Sequence, residues 1–169
     1  MRRRNFTVGE ANALLPHLRD VLGTIQELRQ LVGESTDQIK ILDVIWGKGV
    51  QDADNPDHVE FEGHRKTIGG AVGEIERLIR EEILGLGIRF PPGGLEYGLL
   101  DFPTLLDGRW VYLCWRLGEQ EVGAWHEVAD GFAGRKPLTD RVAGRMGRGG
   151  GEDEVGSDDA MDGSGDATA

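Results

Sequence analysis

Between Asp101 and Arg135 the sequence DFPTLLDGRWVYLCWRLGEQEVGAWHEVADGFAGR gathers most of the side chains that could do chemistry. It holds the sole cysteine, Cys114, with His126 beside Glu127 further on, three of the 4 tryptophans (Trp110, Trp115, Trp125) and Tyr112. A thiol becomes a nucleophile when an imidazole can take its proton, so Cys114 and His126 form the first pair to test. Glu127 could serve as an acid or base and Arg116 could orient an anionic group. The large amphipathic rings with Arg116 also suit a surface for a partner, since protein interfaces favour Trp, Tyr and Arg.

Whether these residues meet depends on strand register. Asp107-Gly108 between Thr104-Leu105-Leu106 and Arg109-Trp110-Val111 is a two-residue hairpin signal, and it pairs Leu106 with Arg109 and Asp101 with Cys114. Gly118-Glu119 offers a second turn before a strand over about Glu121 to Val128, giving a three-stranded meander. With that turn Cys114 faces Gly123 and Tyr112 faces Trp125. One face then carries Asp101, Trp110, Tyr112, Cys114, Arg116, Trp125 and Glu127, the candidate binding face. The other carries Phe102, Val111, Leu113, Trp115, Val122, Ala124 and His126. On this register Cys114 and His126 point apart, which argues against a catalytic dyad. A four-residue loop keeps these faces, whereas a three-residue loop swaps the third strand over.

Other chemistries find weaker footing. Structural zinc needs several closely spaced Cys or His residues, and here Cys114 stands apart from the scattered His17, His58, His64 and His126. The acidic run from Asp52 to His64 fails as a calcium loop, because its fifth position is Pro56 and its twelfth Gly63. It reads as a solvated charge run, and no metal or cofactor is expected. Gly85-Leu86-Gly87 reaches Phe90 where a dinucleotide fingerprint needs a small residue, and it follows a helix instead of a strand. Gly131 to Lys136 is either a turn pinned by Phe132 or an anion loop with Arg135 as a secondary candidate; the turn is the simpler reading.

The elements that must position this block are helical. Thr7-Val8-Gly9-Glu10 is a capping box, with Phe6 and Ala11 as a staple. Ala11, Leu14, Leu18, Val21, Ile25, Leu28 and Val32, widened by Leu15 and Leu22, make one long amphipathic helix with a kink expected at Pro16. Ser35 reads as the cap of a short third helical segment carrying Ile39, Leu42 and Ile45 or Trp46. After a polar stretch over 47–57, a second long helix spans about His58 to Leu84 with Ile68, Val72, Ile75, Ile79 and Ile83 in a stripe. The two stripes should face each other as an antiparallel hairpin, with close crossing at Gly69, Gly70 and Gly73. The expected fold is α+β: this hairpin packed on the meander as a single domain over 1–138, with a disordered acidic tail over 139–169.

Composition narrows the function classes. The 169 residues carry a net charge of −11, and all 19 basic residues lie before Gly149. Up to that point they meet 23 of the 30 acidic residues, so the body carries about −4 and the tail −7. Such a surface repels phosphate backbones, so nucleic acid is not an expected partner. There is no apolar run for a signal peptide or a bilayer span, and one cysteine cannot form an internal disulfide, so a cytoplasmic protein without membrane attachment is expected.

The run GLLDFPTLLDGRWVYLCWRLGE, then WHE and GFAGRKPL, together with FTVGEANALLPHLR near the start, resembles a small bacterial family catalogued only as a domain of unknown function. The resemblance covers roughly residues 5 to 138 and implies no activity and no catalytic residues. Two functions follow from the residues themselves. The first is a non-enzymatic interaction module in which the hairpin self-associates or packs on a protein partner, with the aromatic sheet as a contact. The second is a small-molecule-binding protein or enzyme with a site around Arg116 and Glu127.

Overall fold

The computed structural model describes residues 3–148. The chain is α+β: a long helical hairpin packs on one face of a four-stranded antiparallel sheet. Helix α1 (Val8–Trp46) opens on the expected capping box, with Thr7 accepting from the Glu10 amide and Glu10 accepting from the Thr7 amide. It runs without a break through Pro16 and Ser35; Ser35 is buried inside it and caps nothing, so the third segment is the far end of α1. At a rise of about 1.5 Å per residue, α1 is roughly 58 Å long. Helix α2 (His58–Leu78) returns beside it and widens into a π turn over Ile79–Ile83.

The α1 stripe is buried as its spacing predicts, at Ala11, Leu15, Leu18, Val21, Leu22 and Ile25. On α2 the inward residues are Phe61, Ala71 and Leu78, and Val72 is turned outward. The expected close crossing at Gly69, Gly70 and Gly73 is not found. All three are exposed, and a Cβ on any of them would enter open space. The apolar core is therefore divided. The main cluster lies where residues up to Leu28 of α1 and from Ile75 of α2 meet the sheet. A small separate cluster of Leu42, Val50 and Phe61 closes the far tip.

Strand β1 (Leu99–Leu106) and strand β2 (Arg109–Arg116) form the predicted hairpin, with Leu106 opposite Arg109 and Asp101 opposite Cys114. Asp107 (φ 51) and Gly108 (φ 79) both take positive φ, as a two-residue turn matched to the strand twist requires. Leu100, Phe102, Thr104 and Leu106 of β1 are buried, as are Val111, Leu113 and Trp115 of β2; they form the core-facing side. Strand β3 (Ala124–Glu127) pairs with β2, and the two-residue β4 (Lys136–Pro137) adds a fourth strand to the expected three. The short helices α3 (Gly94–Tyr97) and α4 (Asp140–Ala143) flank β1 and follow β4 in the chain.

The outer edge of β1 is covered, which removes a row of free backbone groups that could recruit another chain. Phe6 donates to the Pro103 carbonyl at 2.9 Å, the Asn5 side chain accepts from Leu105 at 2.8 Å, and Arg89 bridges Asp101. Met146 bridges Leu106 and is 1% exposed. The domain thus extends beyond the boundary expected at 138, because residues 139–147 turn back through α4 to cover this edge. The remainder of the expected tail, 149–169, lies outside the described residues.

Candidate functional site

The connection between β2 and β3 sets the face on which each candidate stands. It is not a two-residue turn at Gly118-Glu119 but a longer loop from Leu117 to Gly123, and its odd length shifts the register by one. Cys114 stands opposite Ala124, Tyr112 opposite His126 and Leu113 opposite Trp125. The loop is held by groups that local spacing does not reveal. The Glu119 carboxylate accepts from the Arg116 amide at 2.9 Å and from Arg135 at 2.8 Å. Its carbonyl accepts from the Trp115 indole at 3.0 Å and from Arg19 of α1 at 3.2 Å. Asn12, also on α1, accepts from the Val122 amide at 2.8 Å.

This register corrects the expected faces. Trp125 and Glu127 leave the candidate binding face, and Ala124 and His126 join it. Trp125 turns toward the core and is 8% exposed, with Lys136 over its ring at 4.7 Å. Glu127 pairs with Arg109 at 2.9 Å and Lys136 at 3.5 Å. Arg116 and Glu127, expected to share a site, project from opposite sides of the sheet. Arg116 is exposed and makes no ion pair among the described residues; it borders a hollow of 250 Å³ with Tyr97, Leu99 and Phe132.

What the shift brings together is Asp101, Cys114 and His126, one from each of three neighbouring strands. They are 3%, 0% and 2% exposed. One donor atom from each, a carboxylate oxygen, the thiol sulfur and an imidazole nitrogen, lies within 4.8 Å of the others. His126 Nδ1 lies 2.8 Å from the Glu127 carbonyl oxygen, and His126 Nε2 lies 3.1 Å from Asp101 Oδ1. A carbonyl only accepts, so Nδ1 carries a proton, and Nε2 is the atom aimed at the carboxylate and the thiol. The Tyr112 ring flanks the imidazole at 5.6 Å.

Burial acts to lower the His126 pKa, but hydrogen bonds to Asp101, Cys114 and the Glu127 carbonyl, with the charge of Asp101, outweigh it and push the value up to about 10. The direction favours the protonated imidazole beside the Asp101 carboxyl group. As a nucleophile and base pair the arrangement fails for a reason other than parity: the Cys114 sulfur is closed off from solvent, and a nucleophile must be reached by its substrate.

The remaining candidates are engaged locally. Trp110 is half-buried under Arg3, whose guanidinium lies 5.2 Å from the ring centroid. Arg135 binds Glu119, donates to the Cys114 carbonyl at 3.4 Å and stacks over Phe132 at 5.0 Å. With Lys136 held over Trp125, both cations of the GFAGRK segment are engaged; the segment makes a short turn over Phe132–Gly134, and Phe132 is 39% exposed instead of being pinned onto the sheet. In the acidic run, Asp57 accepts from the Trp46 indole at 2.7 Å and His58 contacts the Val50 carbonyl at 3.0 Å.

Among the described residues no helix is long and apolar enough to cross a membrane. No curated protein and no solved structure matches the chain. Residues 4–138 match a family described as an uncharacterized conserved protein, so the fold and the buried Asp-Cys-His group described above belong to a member of the DUF2203 family.

Proposed function

We propose that the protein is a non-enzymatic interaction module that self-associates through the free end of its helical hairpin. The observation that carries this reading is the apolar surface at the tip. Val44 is 87% exposed and Val59 81%, with Ile45 at 59% and Ile41 at 51%. Ile41, Val44 and Ile45 lie within about one turn of α1 and Val59 stands at the start of α2, so exposed apolar side chains gather at the same end of the hairpin, and exposed apolar surface of this kind suits a contact site.

The thinness of the arm supports a second copy as the occupant. Beyond the main core the two helices bury little more than Ser35, Leu42, Val50, Phe61 and Ala71 between them. A helical pair with so narrow a seam gains most from a neighbour that doubles it into a four-helix contact. A twofold axis brings the same patch from each chain together, and an apolar patch is complementary to itself. The aromatic side of the sheet contributes less than its sequence suggests, because Trp125, Cys114 and His126 are buried and only Trp110 and Tyr112 stay half-exposed.

Light scattering across a concentration series tests the proposal. The wild-type chain is expected to show a dimer that becomes monomeric in the Val44→Glu/Val59→Glu variant without loss of helical circular dichroism. A wild-type protein that stays monomeric at high micromolar concentration overturns it.

A further inference from the structure

The donor set formed by Asp101, Cys114 and His126 has the composition of a transition-metal site. A carboxylate oxygen, a thiol sulfur and an imidazole nitrogen are a borderline-soft set that suits zinc-class ions and disfavours magnesium or calcium, which take oxygen alone. We propose that these three residues bind one divalent metal ion of the zinc class.

Geometry supports the assignment at three levels. The donors stand on adjacent strands of one sheet, with Asp101 and Cys114 directly paired and His126 two residues beyond the partner of Cys114, so the backbone fixes their spacing. A tetrahedral zinc with bonds of about 2.0–2.3 Å places its ligand atoms roughly 3.3–3.8 Å apart. The Asp101–His126 edge is already 3.1 Å and no edge exceeds 4.8 Å, so closure needs side-chain movements of about 1 Å at most. The Nδ1–H of His126 donates to a backbone carbonyl, the outer contact that orients a ligating histidine and leaves Nε2 as the coordinating atom.

Charge supports it as well. With the thiol deprotonated on binding and the imidazole neutral, Asp101 and Cys114 supply two negative charges, and a divalent ion brings the buried group to neutrality. The alternative is an internal ion pair with a bystander thiol, and the two differ in a way that can be measured.

The full chain, stripped with chelator and shown to be folded, is titrated with Co²⁺ and separately with Zn²⁺. The expected result is one ion per chain and, for cobalt, a thiolate-to-metal charge-transfer band displaced by zinc. Cys114 is the only cysteine, so the band identifies its sulfur without any variant. Cys114→Ser is expected to lose the band, and Asp101→Asn to weaken zinc binding by at least about tenfold. Folded wild-type protein that retains no ion, or that holds zinc with no sulfur neighbour by X-ray absorption, overturns the proposal. That second result would place the ion away from Cys114.

Discussion

His126 Nε2 stands 3.1 Å from Asp101 Oδ1, across two strand pairings and within a part of the sheet closed to water. Removing one partner leaves the other charge without compensation. Asp101→Ala is expected to destabilise the metal-free protein by about 3–5 kcal/mol in urea unfolding. A change below about 1 kcal/mol would mean that the pair does not hold the sheet.

The same contact sets a pH dependence in chelator-treated protein. The folded pKa of His126 is about 10, above an unfolded value of about 6.5. A raised histidine contributes stability that is fully present below the unfolded value and is lost as pH rises through the folded one. The groups around this ring are Asp101, Cys114 and Tyr112. Urea midpoints should therefore fall between pH 6.5 and 10 more steeply in the wild type than in Asp101→Asn, a comparison that removes the titration of other groups. Parallel profiles would contradict the assignment.

Glu119 joins the β2–β3 loop to Arg135 and, through its carbonyl, to α1. Glu119→Ala leaves the Arg135 guanidinium, whose Nε already lacks a partner, without its carboxylate. A loss of about 1–3 kcal/mol is expected. In a double-mutant cycle with Arg135→Ala the two effects should be far from additive; additivity would show that the ion pair does not hold the loop.

The returning C-terminal segment gives a further stability test. Gly147 has φ +73, and a Cβ there would stand 2.7 Å from the Phe6 carbonyl oxygen. Gly147→Ala should cost about 1–3 kcal/mol. Truncation after Leu138 should cost more, by baring the Met146 contact and the β1 edge. A truncated chain with the full-length melting temperature would restore the boundary at 138.

Gly70→Ala should move stability in the opposite direction. The residue is exposed within α2 and a Cβ meets nothing within 4 Å, so the substitution lowers the entropy of the unfolded chain without a clash. A gain of about 0.5–1 kcal/mol is expected from thermal melts. A loss would reveal a neighbour that packs on the glycine, such as a second arm.

How much of this was legible in the sequence depended on how local the determinant was. The capping box at Thr7 and Glu10, the α1 stripe and the Asp107-Gly108 turn each rest on contacts a few residues apart, and each appears as expected. The pairing of Asp101 with Cys114 followed from the turn by counting. The third strand did not follow, because its register rests on Glu119, Arg135, Arg19 and Asn12, which lie far from one another along the chain. Parity alone carried the relevant alternative, since an odd loop was known to reverse the strand. The segment after Leu138 is hard to read for a related reason: its polar composition conceals that Met146 closes an edge formed some forty residues earlier.

The odd-length loop from Leu117 to Gly123 also makes the protein's tolerance of insertion discontinuous. Adding or deleting one residue there would exchange Trp125 with its neighbours, driving a carboxylate and an indole toward the wrong sides and leaving Asp101 without its imidazole. Adding two would restore every side chain to its place. Length variation in this loop should therefore survive selection in even steps: alongside the contacts of Glu119, the parity of the residue count is what the loop must preserve.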